Sequence, residues 1–291
     1  MTSIAAHLDP GWQRWADPEW MEHWKPRTFP LAGGTTEVVE MGEGPPLLLL
    51  PPLPGYKEAW IACAPRLAAR FRVITFDLRA SFDERPAWDA MVDDVVEVAR
   101  EFARGPALVV GHSLGGALAM RYARQHSGAV EGLVLSSTFR RVTTSWRGLL
   151  PRFVEQPAVL GTLRLMPEAA GVRLARALAR RRRWVFDAAC DEGVCGLVVR
   201  GVRTIPMEVV LGRLRLAFQH EFTAAAELRL PTLVVWGEHD TPFAKLEGEA
   251  LARAIPGAAR AVSPGRGHLH PLSGPGWLAE TILQWAYTLV P

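Results

Sequence analysis

The sequence predicts an α/β fold: a mostly parallel central sheet flanked by helices, with one helical insertion. Three observations carry this. Short apolar runs of strand character alternate with segments of helical spacing, the pattern of a sheet covered by crossover helices. The stretch ALVVGHSLGGALAM, Ala107 to Met120, passes from a buried strand through a glycine-flanked break into a small-residue helix. About ninety residues of mostly helical pattern then separate the strand-like Gly132–Ser136 from the next one, Thr232–Gly237. In a parallel sheet such an insertion emerges beyond the carboxyl ends of the strands. The expected division is therefore an N-terminal arm over 1–30, a core over 31–138 and 225–291, and a helical cap over 139–224.

The break at Gly111-His112-Ser113-Leu114-Gly115 is a G-x-S-x-G elbow. A serine on so sharp a strand-to-helix turn sits in strained backbone, and residues two positions away must be too small to clash, which Gly111 and Gly115 supply. The turn lifts the Ser113 hydroxyl out of the sheet. It also aims the Leu114 amide, at the head of the following helix, toward an oxyanion forming beside Ser113. At these residues the chain resembles the α/β-hydrolase superfamily, and the resemblance runs from about Thr36 to the C-terminus. It implies a serine nucleophile and an order of serine, acid and histidine along the chain.

Taken in order, residues 1–30 carry Trp12, Trp15, Trp20 and Trp24 among Pro10, Pro18, Pro26 and Pro30. Spacings of three and four pair the tryptophans on a helical face, while the prolines prevent a long helix. An arm packed on the domain is expected. Thr36–Met41 alternates as an edge strand does, Gly42–Pro46 is a turn, and Leu47–Leu50 is a short, continuously apolar strand. The next loop, Pro51-Pro52-Leu53-Pro54-Gly55, stands where family members usually carry a His-Gly pair before the second oxyanion donor, and Trp60 falls where an aromatic often follows. Because proline has no N–H to give, the resemblance makes Leu53 the candidate donor.

Arg72–Asp77 reads as the next strand, and Asp77-Leu78-Arg79 resembles the family's Asp-x-Arg segment, with Ala80, Ser81 and Phe82 replacing the usual glycine-rich continuation. Structural contacts are expected of Asp77 and Arg79. Trp88–Arg104 places Met91, Val95, Val98 and Phe102 on or near one helical face before Gly105-Pro106 ends it. The inserted region counts fifteen arginines against seven acids, although the whole chain carries only +3. This excess, including the Arg180–Arg183 run, is either a solvated and docking surface or an attractor for acidic substrates. Phe139, Trp146, Phe153 and Trp184 are aromatics available to close over the serine.

A serine hydroxyl is a poor nucleophile at neutral pH and needs a base within hydrogen-bond reach, itself held by a third group. After the apolar Thr232–Gly237, the loop Glu238-His239-Asp240 offers two acids. Asp240 matches the family position and has the shorter side chain; Glu238 is its local rival. The resemblance places the histidine after the last strand, Ala258–Ser263, where Gly265-Arg266-Gly267-His268 supplies it and His270 is the alternative. His112 and His239 are expected to be structural.

The triad expected is thus Ser113, Asp240 and His268, with Leu53 and Leu114 donating to the oxyanion. Such a serine esterase needs no metal or organic cofactor, and the sequence offers no site for one. Cys63, Cys190 and Cys195 lack metal-ligand spacing and read as buried thiols. No stretch approaches the length of a membrane span, no nucleic-acid motif accompanies the arginines, and 49% hydrophobic content suffices for a large core. A cytoplasmic protein acting on a small-molecule ester or acyl substrate is expected, with the oligomeric state open. Carbon–carbon bond hydrolysis and acyl transfer use the same parts. The intact triad positions argue against a non-catalytic binding protein on this scaffold, and Ser113 itself argues against an aspartate-nucleophile enzyme.

Overall fold

The computed structural model describes residues 10–79, 87–142, 158–181 and 185–289. Its centre is an eight-stranded sheet: β1 (Arg27–Leu31), β2 (Gly34–Met41), β3 (Pro46–Leu50), β4 (Arg72–Phe76), β5 (Ala107–His112), β6 (Val130–Ser136), β7 (Thr232–Gly237) and β8 (Ala259–Ser263). The spatial order is β1-β2-β4-β3-β5-β6-β7-β8. From β4 through β8 every pairing is parallel, while β1–β2 and β2–β4 are antiparallel.

The continuous apolar runs follow from burial on both faces. Leu47 and Leu49 point into one core, Leu48 and Leu50 into the other, and all four are fully buried. Leu108 and Val110 on β5 alternate with Val109 in the same way. A strand covered on both sides has no solvent face on which to place polar residues. Each leucine contributes about 2 kcal/mol of transfer free energy.

Helices α1 (Ala87–Val98) and α2 (Leu114–Gln125) cover one face. Between β6 and β7 run α3 (Glu168–Arg180), α4 (Glu192–Thr204) and α5 (Met207–Gln219). The fold closes with α6 (Pro242–Ala254), between β7 and β8, and α7 (Pro275–Tyr287), whose Leu278, Ala279 and Ile282 join the other core. Among the described residues no helix is long and apolar enough to cross a membrane.

Two expectations need correction at the N-terminal end. Thr36–Met41 lies within β2, which is not the sheet edge; β1 pairs outside it, within and just beyond the segment expected to be an arm. β1 escaped notice because it is short, largely exposed and carries Pro30, a residue tolerated only where a ladder N–H is not needed. The arm itself packs on the inserted helices as well as the core. The Trp15 indole N–H donates to Glu168 at 2.7 Å, and its ring fills a notch that exists because residue 196 is glycine.

The expected structural role of Asp77 and Arg79 holds. Buried Lys57 sits 2.7 Å from Glu37, 2.9 Å from Glu58 and 3.1 Å from Asp77, and Arg79 forks onto Asp94 with its Nε at 2.6 Å. The three cysteines are free and buried, and burial pushes the Cys63 and Cys195 thiols up to about 12. Ala80, Ser81, Phe82, Trp146, Phe153, Trp184 and Arg182–Arg183 lie outside the described residues.

Candidate active site

The elbow is built by close packing. Ser113 joins β5 to α2 with φ 53° and ψ −116°, a conformation in which a non-glycine residue is strained. Its N–H donates to the Ser136 carbonyl at 2.8 Å, and its carbonyl accepts from the Thr138 hydroxyl at 2.6 Å. A methyl group on Gly111 would run into the Gly115 carbonyl oxygen, and one on Gly115 into that of Leu50. Both glycines are therefore demanded by approach of backbone to backbone, as their spacing implied.

Sheet topology brings the other two residues to this point. Asp240 lies in the turn leaving β7, and His268 in the loop leaving β8, at the same carboxyl edge. His268 Nε2 is 3.2 Å from Ser113 Oγ, and His268 Nδ1 is 2.9 Å from Asp240 Oδ1. Ser113 and His268 are partly exposed, whereas Asp240 is buried.

Burial opposes ionisation of Asp240, but the facing His268 and the hydrogen bonds from His268 and Ser137 outweigh it and bring the carboxyl down to about 2. Burial likewise opposes a charge on His268, and the Asp240 carboxylate overrides it, raising the imidazole above its ordinary 6.5. The pair thus holds a carboxylate against a basic imidazole whose Nε2 faces the serine. That arrangement can accept a proton from Ser113 and stabilise the resulting cation.

The sequence did not point to Ser136 or Ser137. Ser137, in left-handed backbone with φ 46°, donates its hydroxyl to Asp240 Oδ2 at 2.5 Å, and its N–H bonds the Val235 carbonyl at 2.8 Å. His270 Nε2 lies 2.9 Å from Ser136 Oγ and 3.1 Å from Ser137 Oγ. His112 Nδ1 reaches the same Ser136 hydroxyl at 2.9 Å. Burial first, then the neighbouring His268 among other charges, lowers His270 to about 4 and His112 well below its usual range. Both are neutral at physiological pH and tied to serines behind the acid, away from the Ser113 hydroxyl. Glu238 is exposed and accepts from the Gly265 amide at 2.7 Å, so it is not the acid facing His268.

The three residues open onto a cavity of about 450 Å³. Leu53, Leu114, Phe139 and Phe243 belong to its wall on the core side, and Val198, Val202, Val210 and Leu214 come from α4 and α5. Among the described residues no arginine or lysine lines it. Several described arginines of the inserted region are held elsewhere: Arg140 bonds Glu247, Arg200 bonds Glu168, and Arg164 and Arg203 hold backbone carbonyls between the inserted helices. Arg213, fully buried, donates to the carbonyls of Leu78 and Arg79 at 2.6 Å and so ties α5 to the core.

A parallel sheet with a strained serine elbow and a Ser–His–Asp arrangement at its carboxyl edge defines a hydrolase of the α/β class. The model of the alpha/beta hydrolase fold matches residues 45–275, and the chain belongs to that family. Haloalkane dehalogenase 2 of Mycobacterium tuberculosis is 27% identical over 232 residues, 75% of this chain and 79% of the relative. The pimeloyl-[acyl-carrier protein] methyl ester esterase of Nitrosospira multiformis is 25% identical over 270 residues, 86% and 97% of the two chains. Among solved structures, a thermophilic esterase from Thermogutta terrifontis superposes with a TM-score of 0.69 at 24% identity, covering 92% of this chain and all of that one.

Proposed function

We propose that this protein is a serine hydrolase acting on uncharged carboxylic esters, or related acyl substrates, that present an apolar group to the cavity. The observation that carries the reading is the unbroken chain from Asp240 Oδ1 through His268 to Ser113 Oγ, at 2.9 and 3.2 Å, opening into an apolar cavity. Ser113 Oγ attacks the acyl carbon as its proton passes to His268 Nε2, and Asp240 stabilises the imidazolium. The Leu114 amide, at the head of α2, and the Leu53 amide are the proposed donors to the oxyanion. Collapse leaves acyl-Ser113, the alcohol departing with the proton of His268. Water then repeats the sequence on the acyl-enzyme, with His268 again taking and returning the proton.

Residues 139–224 serve in this reading as the cap that closes over the serine, since α4 and α5 contribute four valine and leucine side chains to the wall. A mostly apolar cavity with a few convergent polar groups suits a small organic substrate. The esterase of Nitrosospira multiformis supports ester chemistry by its name. A dehalogenase of this fold employs an aspartate nucleophile, and Ser113 at the elbow favours acyl chemistry instead.

The test is treatment with a fluorophosphonate together with a panel of p-nitrophenyl esters of graded acyl length. One label located on Ser113 by peptide mass, with hydrolysis lost in Ser113→Ala, is expected. Labelling or turnover that persists in Ser113→Ala removes this serine from the mechanism. Identification of the released products separates ester hydrolysis from carbon–carbon cleavage and acyl transfer.

A further inference from the structure

We propose that Asp187, which belongs to the inserted region and not to the hydrolase core, is a positioning residue for His268, so that the base is fully aligned only when the insertion is docked. This rests on the reading of His268 as the base. Asp187 is completely buried. One carboxylate oxygen accepts the Gly267 N–H at 2.7 Å and the Ser273 hydroxyl at 3.3 Å, and the other accepts the Ala189 N–H at 2.7 Å. Gly267 immediately precedes His268, and Ser273 lies five residues beyond it. One side chain therefore grips both flanks of the histidine loop from outside the core.

Further contacts of the loop before His268 come from the exit of β7. The His239 N–H donates to the Arg266 carbonyl at 2.7 Å, and Glu238 holds the Gly265 amide at 2.7 Å. Residue 237 must be glycine because a methyl group there would strike the carbonyls of Arg266 and Gly267. On the opposite side, a methyl group on Gly267 would stand 2.8 Å from Asp187 Cβ and 3.0 Å from its Oδ2. The peptide before His268 is thus held between the end of β7 and Asp187.

Burying a carboxylate is costly unless hydrogen bonds compensate it. Here those bonds come from its own turn and from the histidine loop, so the loop is part of what makes the burial tolerable. A movement of the insertion that carries Asp187 away frees the Gly267 amide and relaxes the imidazole above Ser113.

The experiment compares kcat and KM for a p-nitrophenyl ester in wild type, Asp187→Ala, Asp187→Asn, Gly267→Ala, His268→Ala and the double variant Asp187→Ala/His268→Ala. Displacing a reacting group by about 1 Å costs on the order of 100-fold, which is the fall in kcat expected for Asp187→Ala with KM nearly unchanged. Asp187→Asn keeps the volume and one acceptor and should fall less. Gly267→Ala disturbs the same contact from the other side and should lower kcat as well. In the His268→Ala background Asp187→Ala should cost nothing more, because a positioning residue is silent once the group it positions is gone.

A folded Asp187→Ala protein with wild-type kcat, or the same fold-loss repeated in the His268→Ala background, overturns the proposal. Should Asp187→Ala fail to fold, Asp187→Asn and Gly267→Ala decide it, and wild-type kcat in both is the overturning result. Full activity of His268→Ala alone would instead refute the assignment of the base.

Discussion

Replacing Asp240 with asparagine isolates its charge from its shape. The aspartate accepts from His268 Nδ1 at 2.9 Å and the Thr241 amide at 2.7 Å through Oδ1, and from Ser137 at 2.5 Å through Oδ2. An asparagine can leave its oxygen toward His268 and Thr241 and turn its amide toward Ser137, whose hydroxyl then accepts, so the geometry is retained while the negative charge is lost. His268 then keeps the burial that disfavours its cation but loses the carboxylate that raises it above 6.5. The other groups facing the imidazole, His112 and His270, are neutral and offer no replacement.

A base must be unprotonated to act, so in the wild type kcat/KM should fall with decreasing pH through a limb above 6.5, and in Asp240→Asn that limb should move below it. Loss of support for the imidazolium should also lower kcat by about three to four powers of ten, the range known for triad acids. Rates for a p-nitrophenyl ester between about pH 5 and pH 9 report both effects. An acid limb unmoved in Asp240→Asn, or a loss below tenfold, would refute the assignment of Asp240 as the group that tunes His268. The structural counterpart has a definite sign. With its carboxyl at about 2 against 3.8 for an ordinary aspartate, Asp240 adds stability above pH 3.8 that disappears as pH falls through about 2. At one pKa unit per 1.4 kcal/mol the contribution is about 2 kcal/mol.

His268→Ala should lower kcat by several powers of ten, whereas His270→Ala, which removes a partner of Ser136 and Ser137, should cost about tenfold or less; equal losses would place His270 in the chemistry. An ester carrying a carboxylate should be a poorer substrate than its neutral analogue of equal size, and neither kcat/KM should depend strongly on salt, since no cation lines the described cavity wall and the described arginines named above are bound elsewhere. A preference for the acidic ester that weakens with ionic strength would restore the arginine-rich insertion as the recognition surface.

The sequence alone was enough for the elbow, for seven of the eight strands and for the triad candidates Asp240 and His268. The strands and the elbow follow from local pattern, apolar runs buried on both faces and glycines that a tight turn demands, whereas Asp240 and His268 were implied by the family resemblance. β1 was hidden because an exposed edge strand of five residues has little apolar pattern to read. Asp240 was preferred to Glu238, and His268 to His270, on the family resemblance; the distances of 2.9 Å and 3.2 Å that link Asp240, His268 and Ser113 come only from the tertiary structure. Only tertiary structure could pair Ser137 with Asp240, 103 positions apart, or Asp187 with Gly267, 80 apart. It alone could show that Arg140 and Arg200 meet carboxylates and that Arg164, Arg203 and Arg213 meet backbone carbonyls. Sequence spacing carries local geometry, whereas which buried polar group meets which is decided when helices from the insertion are laid against loops from the sheet.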